Sequence, residues 1–128
     1  MAANSSLNVA VLGASDRPER YSYQAVEMLS RYGHRVFPVT PRSISLTDVP
    51  VYHDLTSVPE PIHTVTLYVN PKRLETLTEE IVGANPNRVI FNPGTEHAEI
   101  ESRFRDAGIR VVKACTLVLL KTDQFITA

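Results

Sequence analysis

The sequence predicts an α/β protein, a Rossmann-like, doubly wound and mostly parallel sheet of about five strands with helices on both faces. Three observations carry this. The valine-rich run Val9-Ala10-Val11-Leu12 is continuously apolar, as a strand buried on both faces must be, and ends in Gly13-Ala14-Ser15. Short β-branched runs then alternate with helical stripes along the chain. Glycine, proline and asparagine stand at the joints between them.

After Gly13-Ala14-Ser15 comes a charged loop, Asp16-Arg17-Pro18-Glu19-Arg20, and then a helical pattern from Ser22 to Tyr32 with Ala25, Val26, Met28 and Leu29 on one stripe. Ser22 is read as its N-cap and Gly33 as the residue of positive φ that ends it. Val36-Phe37-Pro38-Val39 is a second strand, with Pro38 marking an edge or the end of pairing. Residues 43–61 are broken by Pro50, Pro59 and Pro61, leaving a short extended piece at Val51-Tyr52 and a helical turn near Thr56-Ser57-Val58. Thr64 to Val69 is a third strand. Asn70 caps the next helix, Pro71 opens it, and Leu74, Leu77, Ile81 and Val82 form its apolar face, with Glu79 and Glu80 toward solvent. Arg88 to Phe91 is a strand, Asn92-Pro93-Gly94 the loop at its end, and Thr95 the cap of a helix carrying Ile100 and Phe104 up to Gly108. Ile109 to Val112 is a last core strand, and Thr116 to Lys121 a short helix. Right-handed crossovers bring the strand-end loops to one edge.

Composition sets bounds. The 128 residues suit one domain over 1–128, with 1–6 a loose end. The net charge of −1 gives no footprint for nucleic acid or an anionic membrane. A single cysteine, Cys115, excludes an internal disulfide framework and fits a reducing cytoplasm. No apolar run approaches the roughly 20 residues that span a bilayer, and the start lacks the basic and apolar regions of a signal peptide.

The first strand, small-residue turn and helix form the unit that presents phosphate to helix N–H groups, although a Gly-Ala-Ser turn can also serve only to reverse the chain. G-x-G-x-x-G and Walker sequences are both absent. A site for NAD wants an acidic residue at the end of the second strand; here that place holds Thr40-Pro41-Arg42. Arginine there suits a ligand with an extra ribose phosphate, NADP or coenzyme A, unless it is a solvated surface charge.

Several segments, in this order and spacing, resemble a known family: Val11-Leu12-Gly13-Ala14-Ser15, Arg20-Tyr21-Ser22-Tyr23, Gly33-His34-Arg35-Val36, Thr40-Pro41-Arg42, Tyr52-His53-Asp54-Leu55 with Val58-Pro59, Asn92-Pro93-Gly94, and Ala107-Gly108-Ile109 leading to Cys115. The chain resembles small single-domain coenzyme A-binding proteins related to the N-terminal domain of the succinyl-CoA synthetase α-subunit. The resemblance implies that Gly13, Ala14 and Ser15 line the diphosphate, with Arg20, Ser22 and Tyr23 at the helix start. It places Thr40, Pro41 and Arg42 at the adenosine ribose and its phosphate, and Asn70-Pro71 and Asn92-Pro93-Gly94 along the pantetheine side. Thr40 and His63 depart from the family's usual asparagine and aspartate, and the loop after Arg42 lacks its common glycine.

A reaction is not assignable from the residues. Succinyl-CoA synthetase uses a phosphohistidine of a second domain, for which this chain has no counterpart. His34 is read as a surface-turn residue, and His53 and His63 lack metal-ligand spacing. His97 falls in a first helical turn beside the cleft, as solvated residue or phosphoacceptor. Cys115 is either a small core residue or a thiol facing ligand. Asp54 with Glu60, and Glu96 with Glu99, form no acid/base pair. The expectation is a nucleotide-binding module for coenzyme A or an acyl-CoA, possible as a homodimer. The alternatives are an NADP-dependent oxidoreductase and a non-catalytic scaffold or regulatory protein with weak or lost ligand affinity.

Overall fold

The computed structural model describes residues 6–128. The expected loose end at 1–6 lies outside them except for Ser6, which is exposed. In chain order the elements are β1 (Asn8–Leu12), α1 (Tyr21–Arg31), β2 (Arg35–Val39), a 3-10 turn (Leu55–Ser57), β3 (Thr64–Leu67), α2 (Pro71–Ala84), β4 (Arg88–Phe91), α3 (Ala98–Asp106), β5 (Arg110–Lys113) and α4 (Thr116–Lys121). The five strands are all parallel, in the order β2-β1-β3-β4-β5.

Alternation along each strand divides the core into two layers. Ala10, Leu12, Val65, Leu67, Val89 and Phe91 pack on one face against Leu74 and Ile81 of α2 and Ile100 and Phe104 of α3. Val9, Val11 and Ile90 pack on the other against Ala25, Val26 and Leu29 of α1 and Leu117, Leu119 and Leu120 of α4. The expected doubly wound sheet is therefore the fold observed. Pro38 lies in β2, at one side of the five, where a missing donor is tolerated; its carbonyl accepts from Tyr52 N–H, and Tyr52 bridges Val39 in parallel. β5, read as a core strand, is only half-buried because it is the opposite edge strand.

Two helix starts and the setting of one histidine differ from expectation. α1 begins at Tyr21, so Arg20 rather than Ser22 holds the N-cap position, and Ser22 is buried in the first turn. His97, not Thr95, caps α3, because the Thr95 hydroxyl instead donates to the Asn92 carbonyl at 2.7 Å. His34 is buried rather than on a surface turn: its Nδ1 accepts from Leu7 N–H at 3.1 Å and its ring lies 5.0 Å from that of Phe125. Asn70 and Pro71 open α2 as the sequence implies, Asn70 Oδ1 accepting from Arg73 N–H at 2.8 Å.

Candidate functional site

β1 sends its chain over one face through α1, and β3 sends its chain over the other through α2. Their carboxyl ends therefore diverge, and a crevice opens between them, as at the switch point of any open parallel sheet. A cleft of about 490 Å³ occupies this place. Gly13 shapes its floor. It has a φ of +94°, and a Cβ there would stand 2.5 Å from the Tyr68 carbonyl oxygen, so only glycine lets the ends of β1 and β3 approach this closely.

The structure brings Gly13, Ala14, Ser15, Arg20, Ser22, Thr40, Pro41, Arg42 and Asn70 together around this cleft. The Gly13 and Ala14 N–H groups are not free, since both donate to the Val39 carbonyl, at 2.9 and 3.1 Å. The Ser15 hydroxyl accepts from Arg17 N–H at 3.1 Å. The available donors lie further on. Nothing caps the start of α1, and among the described residues the N–H groups of Tyr21, Ser22 and Tyr23 have no acceptor. Thr40 is buried and accepts from Arg42 N–H at 3.3 Å, which sets the turn that carries the exposed Arg42. No acceptor within the described residues binds the Arg42 guanidinium.

Other expected residues stand elsewhere. Tyr23 lines a separate groove with Leu46 and Val49, and Pro71 sits in the first turn of α2 beside Asn70. Asn92 is buried and acts as a strut: its amide donates to Thr66 Oγ1 at 2.7 Å and the Leu67 carbonyl at 2.9 Å, and its oxygen accepts from Thr116 N–H at 2.8 Å. Pro93 and Gly94 are exposed and outside the cleft lining.

Sequence reading missed the wall opposite α1. Val69 just past β3 and Arg73, Leu77 and Glu80 of α2 line it, with His53 and Asp54 from the loop beyond Tyr52; Tyr68, also at the cleft, packs toward the α1/α4 layer. Glu80, expected toward solvent, is half-buried because its carboxylate accepts from Leu55 N–H at 2.5 Å. Asp54 Oδ1 accepts from Thr56 Oγ1, Ser57 N–H and Ser57 Oγ, and the Ser57 and Thr56 hydroxyls hold its carboxyl below the usual range. The Tyr68 hydroxyl is buried without a partner among the described residues; burial first, and then the neighbouring Cys115, push it up to about 12. Repeated apolar spacing could place Leu77 on α2, but only the tertiary contact of the Leu55 turn shows that Glu80 is pulled inward.

The histidines and the cysteine do not assemble a reactive centre. His97 Nδ1 accepts from Ile100 N–H at 3.4 Å and Nε2 meets Glu75 Oε2 at 3.0 Å, so both ring nitrogens are engaged outside the cleft. Cys115 is partly buried against the α1/α4 layer and is not part of the cleft lining. No group of histidine, cysteine and carboxylate side chains among the described residues could hold a metal ion. No helix there is long and apolar enough to cross a membrane.

A parallel α/β unit with a cleft at its switch point, beside an uncapped helix N-terminus, defines the class of nucleotide-binding folds. Within it the chain belongs to the CoA binding domain family, whose profile matches residues 7–121. A crystal structure of an uncharacterized protein is 37% identical, with a TM-score of 0.89, covering 94% of this chain and 98% of the other. A Thermus thermophilus structure is 27% identical over 97% of this chain and 94% of its own, with a TM-score of 0.86. The Bacillus subtilis (strain 168) protein YneT is 24% identical over 107 residues, which are 84% of this chain and 79% of that protein.

Proposed function

We propose that the protein binds coenzyme A or an acyl-CoA as a cytoplasmic binding module. The observation that carries this reading is the donor set on one side of the cleft: the N–H groups of Tyr21 and Ser22 at the start of α1 and the guanidinium of Arg42, none of which has an acceptor among the described residues. The N-terminus of α1 offers N–H groups and a partial positive charge to the diphosphate. Arg42 offers a planar pair of donors to the 3′-phosphate of the ribose. Gly13 and Ala14 serve this reading as a thin floor, since their N–H groups are engaged with Val39. The pantetheine arm leaves toward Asn70. No step of chemistry is assigned, because among the described residues no nucleophile and base line the cleft in hydrogen-bonding contact.

Calorimetric titration with coenzyme A, acetyl-CoA, ADP and NADPH tests it. Coenzyme A is expected to bind more tightly than its form lacking the 3′-phosphate. Arg42→Ala is expected to weaken coenzyme A binding by about 1.5–3 kcal/mol, at least tenfold, and to erase that preference. Binding of NADPH alone would replace this reading with that of an oxidoreductase.

A further inference from the structure

Apart from the residues assigned to phosphate and ribose, the cleft is lined by the apolar Val39, Val69 and Leu77 and by His53, Asp54, Arg73 and Glu80, and we call this part the slot. Glu80 differs from the other glutamates of the helical layer. Glu75 and Glu79 on the same helix are exposed and pair with His97 and Arg103, at 3.0 and 2.8 Å. Glu80 Oε2 instead accepts from Leu55 N–H at 2.5 Å, at the start of a turn whose first residue is buried. That bond holds the carboxylate in one orientation. Its second oxygen, Oε1, has no hydrogen bond or ion pair among the described residues. A half-buried acceptor of full negative charge, fixed at one oxygen and open at the other, is completed by an N–H from a ligand.

A nucleotide at a switch point runs from phosphates at the first helix to a ribose at the end of the second strand. With the diphosphate at α1 and the ribose phosphate at Arg42, the slot is the space left for the base. Its apolar walls suit a flat ring system. We infer that Glu80 selects the base, its Oε1 accepting an N–H of the exocyclic 6-amino group of adenine; this rests on the nucleotide reading above. Hypoxanthine turns a 6-oxo acceptor toward Oε1 and is repelled.

The test is calorimetric titration of coenzyme A and of its inosine counterpart, in which a 6-oxo group replaces the 6-amino group. The wild-type protein is expected to prefer coenzyme A by about tenfold or more. In Glu80→Gln the side-chain oxygen can keep the Leu55 bond and the amide NH₂ then faces the slot. That variant is expected to lose affinity for coenzyme A and gain affinity for the inosine form, inverting the preference. Equal binding of both ligands by the wild type, or equal weakening of both in Glu80→Gln, overturns the inference while leaving the cleft a coenzyme A site. Absence of coenzyme A binding by the wild type overturns the nucleotide reading, and this inference with it. If Glu80→Gln does not fold, the wild-type preference between the two ligands decides alone.

Discussion

The two ends of the sheet use their arginines in opposite ways. At the carboxyl ends of the strands, Arg42 is exposed on a turn and its guanidinium meets no acceptor among the described residues. At the amino ends, Arg88 is fully buried. Its Nε donates to Thr64 Oγ1 at 2.7 Å, its Nη1 donates to the Phe125 and Ala128 carbonyls at 2.6 and 2.7 Å, and it lies 4.4 Å over the Phe125 ring. Burial, with Arg110 adding like charge, draws Arg88 down to about 10, which still leaves it protonated at neutral pH. Arg88 fastens the final turn of the chain beneath the sheet; Arg42 stands exposed at the cleft. Charge alone does not separate the two. What separates them is engagement: three hydrogen bonds hold Arg88, with only its Nη2 unpartnered among the described residues, whereas no acceptor among them holds the Arg42 guanidinium.

Stability depends most strongly on Arg88. Arg88→Ala removes three donors from buried or half-buried acceptors and opens a cavity, so we expect a loss of about 4 kcal/mol in urea unfolding. Arg88→Met, which fills much of the volume and leaves no charge to solvate, is expected to recover part of that loss. Neither change should alter coenzyme A affinity under conditions where the variant is folded. Weakened binding without weakened stability would mean that the amino-end cluster, not the Arg42 edge, contacts ligand.

Gly13 serves at once as core residue and as cleft floor. Gly13→Ala must hold φ near +94° and push its Cβ against the Tyr68 carbonyl, so it should cost about 2 kcal/mol or more and weaken ligand binding together. Gly33→Ala is the control. Its φ is +90°, but an added Cβ there meets open space, and a cost of about 1 kcal/mol without change in affinity is expected. Denaturant unfolding and calorimetry on the two variants separate backbone strain from closure of the cleft.

These contrasts also mark where the sequence was readable. The strands, the order of helices and the cleft edge at Gly13 and Thr40–Arg42 follow from local patterns: apolar runs, glycine at sharp turns, proline after asparagine. Such patterns are visible because each depends on the backbone of a few adjacent residues. Glu80 and Arg88 were not readable in the same way. Helical periodicity sets Glu80 beside Glu79 on a polar face, and only a turn 25 residues away supplies the N–H that draws it inward. Arg88 opens a strand like any surface arginine until the end of the chain folds beneath it. Asn92 is intermediate: its place after β4 was legible, but its role as a strut to Thr116 depends on a partner 24 residues further on.

Two histidines of the amino-end cluster couple its stability weakly to pH. His34 is buried, and burial first, then the charge of Arg88, hold its pKa below the ordinary histidine value; His63 is lowered by burial and by Arg88 and Arg110. With the folded-state pKa below the unfolded one, the unfolded chain binds more protons as pH falls, so stability is complete above about pH 6.5 and declines below it toward the folded pKa. Melting temperatures recorded from pH 8 to pH 5.5 should therefore fall with acidity. His34→Asn keeps an acceptor near the position of Nδ1 for Leu7 N–H but has no proton to gain. It should melt lower at pH 8, having lost its contact with Phe125, yet show a shallower acid slope, with the remainder contributed by His63. An unchanged slope would mean that His34 gains its proton without disturbing the packing around Arg88, and that this end of the sheet is less closed than its hydrogen bonds imply.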